Sequence, residues 1–145
     1  MGRSYILNYV HCVFGTKQRA RLIKDSASLW AYIRGIARNR LFDLLAIGGT
    51  ENHLHLLLSL PAGKHISELM RDIKANSSRH MRHSVPGFAW QDGYAAVSVS
   101  PSQLHVVKQY IANQPVHHRT RGFEDEYISL LQKAGIQFDR DQVFE

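Results

Sequence analysis

At 145 residues the chain has room for one domain with its own core, and its 44% apolar and 21% charged residues are those of an ordinary globular protein. Cys12 is the single cysteine, which excludes an internal disulfide, a CxxC redox pair and a cysteine-rich zinc site. The net charge is +6, unevenly placed: from Glu124 onward six acids face two bases, so the first 123 residues carry 16 bases against six acids. A basic body of this kind points to a polyanionic partner, nucleic acid first, although charge alone also fits a merely soluble basic protein. With no bilayer-length apolar run and no signal-like opening, the expected setting is the cytoplasm, with nucleoid association when bound to DNA.

In chain order, Ser4 to Phe14 is rich in aromatic and β-branched residues and predicts a strand. The basic stretch from Lys17 through Arg19 to Arg21 predicts a loop. Asp25 or Ser26 can cap a helix running to about Arg40, with Leu29, Ile33, Ile36 and Ala37 on one stripe. Leu41 to Ile47 predicts a second strand, ended by turn residues Gly48 and Gly49. Asn52 to Leu60 predicts a third, stopped by Pro61. His65 to about His83 predicts a second helix, with Ile66, Leu69, Met70 and Ile73 inward. Tyr94 to Val99 is the fourth strand. Ser100 and Pro101 then open a helix bounded by Pro115, and a last helix runs near Glu124 to Ala134. The order β-α-β-β-α-β plus a helix predicts an α+β, ferredoxin-like sandwich: an antiparallel sheet with two helices on one face.

Two patterns carry chemistry. Strand side chains alternate, so His53 and His55 share one face while Leu54, Leu56 and Leu58 share the face toward the helices. Two imidazoles so placed can ligate one ion; they also fit a pair of satisfied polar residues. Downstream, Tyr110 and Gln114 are spaced i and i+4, one helix face about 6 Å apart. Alone, Tyr110 fits a core aromatic and Gln114 a surface amide. On the second helix Arg71, Lys74, Ser78 and Arg82 form a basic polar stripe that suits phosphates or a solvated surface. Lys17 and Arg19 form a second, smaller patch.

Together, His53-Leu54-His55 and Tyr110-Ile111-Ala112-Asn113-Gln114 resemble the single-tyrosine HUH transposases (IS200/IS605 type) of the smallest bacterial insertion sequences. The likeness runs from Tyr5 to Arg119 and includes His11, Thr16-Lys17 and Trp90-Gln91-Asp92-Gly93-Tyr94. It departs at Thr50-Glu51, where many relatives carry Met-Pro. The resemblance implies that residues 1–122 form the transposase domain and 123–145 an acidic helical tail. It implies that His53, His55 and Gln114 hold one divalent cation, Mg²⁺ or Mn²⁺, beside Tyr110 as nucleophile. It implies single-stranded, hairpin-bearing DNA as substrate, a 5′-phosphotyrosine intermediate and a homodimer in which the tyrosine serves its own or its partner's histidines. The rival expectations are a related HUH endonuclease domesticated for host hairpin DNA, a metal-dependent hydrolase, and a single-stranded nucleic-acid-binding module without catalysis.

Overall fold

The computed structural model describes residues 2–145. Four strands, β1 (Tyr9–Gly15), β2 (Asp43–Thr50), β3 (His53–Ser59) and β4 (Ala95–Val99), form an antiparallel sheet in the order β2-β3-β1-β4. Helices α1 (Ser26–Arg40) and α2 (Ile66–Met81) cover one face. This is the predicted ferredoxin-like sandwich. The interior between them holds Cys12 and Phe14 of β1, Leu54, Leu56 and Leu58 of β3, Leu29 and Ile33 of α1, and Met70 and Ile73 of α2. Burying each such side chain contributes about 1.5–3 kcal/mol. Asp25 caps α1 by accepting from the Ser28 amide at 3.1 Å. No helix among the described residues is long and apolar enough to cross a membrane.

The chain departs from expectation in three places. The first strand begins at Tyr9, not Ser4, and Tyr5, Ile6 and Leu7 are exposed. Its neighbours explain this: Tyr9 pairs with Ser59 and Val99, and both partner strands then run into prolines, Pro61 and Pro101, which have no amide for the ladder. The second departure is at Gly48 and Gly49, which lie within β2, opposite His55 and Leu54, rather than in a turn. The turn falls at Glu51 and Asn52.

The third concerns the helix after Pro101. It is α3 (Leu104–Ala112), followed after Asn113 by a one-turn helix α4 (Gln114–His117). Pro115 cannot donate an amide hydrogen bond back into α3, so the segment divides there, and Pro115 instead occupies the opening turn of α4. Tyr110 and Gln114 thus sit on two helices, yet Gln114 is fully buried.

The other face of the sheet is covered by α3, α4 and α5 (Phe123–Lys133). Gly48 permits the approach of α3, since a methyl there would collide with the Ile111 carbonyl oxygen. Gly48→Val should therefore destabilise the fold by about 1–3 kcal/mol and displace the tyrosine helix; an unchanged melting temperature would show that α3 docks otherwise. The tail packs on the same face: Phe123, Tyr127 and Leu131 of α5 cluster with Val13 and Ala95, joined by Phe138, Val143 and Phe144.

Candidate functional site

The β2–β3 hairpin aims His53 and His55 away from the leucine core, as strand alternation requires. Both are fully buried beneath α3, α4 and α5. Their outer nitrogens are engaged. His53 Nδ1 lies 2.9 Å from Asn52 Oδ1 and 3.0 Å from Thr50 Oγ1, while His55 Nδ1 lies 2.8 Å from His11 Nε2. With Nδ1 so occupied, each ring presents Nε2 to the interior, the arrangement metal-bearing histidines adopt. Gln114 Oε1 stands 2.9 Å from His53 Nε2. Two imidazole nitrogens and an amide oxygen converging on one buried point fit a divalent cation.

A residue that sequence reading did not single out stands at the centre. Glu126 of α5 places Oε1 2.8 Å from His55 Nε2 and 3.5 Å from His53 Nε2. Its Oε2 accepts from Gln114 Nε2 at 3.0 Å and from the Tyr110 hydroxyl. His53, His55 and Glu126 form the metal-competent cluster among the described residues, their ligand atoms within 4.8 Å of one another. His117 and His118 approach the same carboxylate, at 3.6 and 3.1 Å, without a well-aligned hydrogen bond. The signal was present in the chain: Phe123, Glu126 and Leu130 follow i, i+3, i+7, so an acid interrupts the apolar stripe of the last helix.

The electrostatics follow from burial. His11 and His53 are held down to about 3, by desolvation first and then by the neighbouring His55. Burial alone would raise Glu126, but the His118 and His55 imidazoles and the Tyr110 hydroxyl outweigh it and keep the carboxyl ionised. Tyr110 is pushed above its ordinary range, by burial first and then by Glu126. The phenol therefore stays protonated until something withdraws its proton. Its ring meets His55 edge-on at 5.6 Å, so Tyr110 and the histidine pair come together within one chain.

The anticipated DNA contacts divide. Arg71, Lys74, Ser78 and Arg82 do line one cleft, opposite Trp90 and Tyr94. Lys74, however, donates to the carbonyls of Gln91, Asp92 and Gly93 at 2.5, 2.7 and 3.0 Å. Those bonds use all three ammonium protons, so Lys74 clamps a loop and leaves the open cleft to Arg71, Ser78 and Arg82. In the second patch Lys17 is exposed, whereas Arg19 pairs with Glu124 at 2.5 Å and lies over the Phe144 ring.

The family profile described as "Transposase IS200 like" matches residues 4–114, which include the histidine pair, Tyr110 and Gln114. The chain belongs to that family. It is 26% identical over 125 residues to the ISDra2 transposase TnpA of Deinococcus radiodurans, covering 78% of this chain and 89% of the relative. A crystal structure of a transposase candidate from Deinococcus radiodurans R1 superposes with a TM-score of 0.63 at 27% identity, over 79% of this chain and 96% of the other. A REP-associated tyrosine transposase bound to a REP hairpin shares the fold, with a TM-score of 0.63 at 21% identity over 81% and 73% of the two chains. This transposase is therefore an enzyme of the metal-dependent, tyrosine HUH type, and Glu126 lies beyond the matched stretch.

Proposed function

We propose that the chain cleaves and rejoins single-stranded, hairpin-bearing DNA through a 5′-phosphotyrosine on Tyr110. The observation that carries this reading is the convergence, inside one chain, of the Tyr110 hydroxyl with His53, His55 and Gln114. The Tyr110 oxygen forms a bond to phosphorus as the bond to the 3′-oxygen breaks. The phenol proton leaves along its hydrogen bond to Glu126, and the departing 3′-oxygen takes one from water. Because the new ester conserves the phosphodiester energy, a second 3′-hydroxyl can reverse the attack and join strands without ATP. His53, His55 and Gln114 would hold Mg²⁺ or Mn²⁺, which supplies charge neutralisation at the phosphate when bound.

Substrate reaches Tyr110 through a cleft of about 790 Å³ between α3 and α5, lined also by His117, Arg121 and Val107. Arg71, Ser78 and Arg82 grip phosphates further out. The REP-bound relative supports a hairpin as the recognised form. A homodimer is part of the proposal by family resemblance, and size-exclusion chromatography with light scattering tests it; a monomer at working concentration would remove it.

The deciding experiment is incubation with end-labelled hairpin DNA and Mn²⁺, then denaturing electrophoresis and peptide mapping. A DNA-linked peptide containing Tyr110, with a free 3′-hydroxyl on the other fragment, is expected. Cleavage without an adduct would mean water is the nucleophile, and binding without cleavage would reduce the chain to a binding module. Separately, Arg71→Glu with Arg82→Glu should weaken hairpin affinity and flatten its salt dependence by about 1–2 in log–log slope. An unchanged slope would move the phosphate contacts elsewhere.

A further inference from the structure

We infer that Glu126 is a fourth protein ligand of the metal centre and also sets the positions of Gln114 and Tyr110, giving this chain a His-His-Gln-Glu donor set. The inference rests on the metal-binding reading of His53 and His55 and goes beyond the family match, which ends at Gln114.

Three observations carry it. The first is spacing. Ligand atoms around one ion with bonds of about 2.1 Å stand about 3.0 Å apart in an octahedron. Here Glu126 Oε1 lies 2.8 and 3.5 Å from the two histidine Nε2 atoms, and Gln114 Oε1 lies 2.9 Å from His53 Nε2. Two of these contacts are hydrogen bonds, and all three are close enough for the same atoms to become neighbours in one coordination shell with a small adjustment at the 3.5 Å pair.

The second is charge. Glu126 is 3% exposed, and every ion-pairing partner it has among the described residues is a histidine; no lysine or arginine pairs with it. A buried carboxylate without a cationic partner is costly. A divalent cation at the histidine pair supplies the missing positive charge.

The third is orientation. Gln114 gives its amide NH₂ to Glu126 Oε2, which turns Oε1 toward His53, the direction a ligating oxygen must take. The same Oε2 receives the Tyr110 hydroxyl. One carboxylate thus fixes which end of the amide faces the ion and where the phenol waits.

The test is Mn²⁺ affinity, read from the free-ion paramagnetic resonance signal, for wild type, Glu126→Gln, Glu126→Asp and His53→Ala. Glu126→Gln should weaken binding at least about tenfold, with Glu126→Asp in between. Wild-type or tighter Mn²⁺ binding by Glu126→Gln would overturn the inference, because the carboxylate would then merely cover the centre and yield to the ion. Loss in His53→Ala with none in Glu126→Gln sinks this inference alone, whereas no loss in His53→Ala sinks the metal site itself. A readout independent of variant folding is anomalous scattering from wild-type crystals grown with Mn²⁺. An ion within about 2.3 Å of Glu126 Oε1 supports the assignment, and an ion bound to the histidines with the carboxylate displaced beyond contact refutes it.

Discussion

Replacing Tyr110 with phenylalanine should abolish the protein–DNA adduct and lower strand joining by on the order of 10⁴-fold or more, since the covalent route disappears with the hydroxyl. The fold should survive. The half-buried phenol contributes one hydrogen bond, worth about 1 kcal/mol net, while Ile111, one residue on, keeps α3 anchored in the sheet groove above Gly48. Because Tyr110 and the histidine pair meet within one chain, mixing Tyr110→Phe protein with His53→Ala protein should restore no activity. Recovery in the mixture would require the tyrosine to serve a neighbouring subunit. Residual adduct in the phenylalanine chain would assign the nucleophile to another residue.

Acid should destabilise the metal-free protein before its carboxylates titrate. His11 and His53 fall from 6.5 to about 3 in the folded state, through burial and then the adjacent His55. Below pH 6.5 the unfolded chain binds a proton at each imidazole while the folded chain does not, so stability declines as pH falls and continues to do so down to about 3. By pH 5 the loss is on the order of 2 kcal/mol per histidine, or roughly 10 °C in melting temperature for both in a domain of this size. Melting curves with chelator between pH 7.5 and 5 test this. A flat profile would mean the two rings are charged, or solvated, in the native protein. His11→Gln should remove about half of the slope, because the substituted side chain has no proton to gain.

Element order and facing were readable because they rest on local rules. Alternation of Leu54, Leu56 and Leu58 with His53 and His55 settles which side of β3 meets the helices, and a capping Asp25 followed by a four-residue apolar rhythm marks α1. What the rules missed was decided by partners distant in the chain. Ser4 to Leu7 has strand composition but nothing to pair with once Pro61 and Pro101 end the flanking strands, the last ladder contact being the Leu60 amide to the Asn8 carbonyl at 2.8 Å. Gly48 and Gly49 resemble a turn, yet β2 needs Gly48 beneath α3. Lys74 lies in a basic stripe by spacing, but its reach to three carbonyls depends on where residues 91–93 travel. Glu126 belonged to an acidic run that charge counting assigns to solvent. Only its place between Phe123 and Leu130 on one helical stripe marked it as inward.

Cys12 sits at the middle of β1, wholly buried in the main interior, with its thiol pushed up to about 12 by that burial. Alkylating and disulfide reagents react with thiolates, so the folded chain should be inert to them at neutral pH. Since no second thiol competes, labelling of this one sulfur becomes a clock for the rate at which the sheet and its two helices part, and it can be read by mass spectrometry with DNA or metal present or absent.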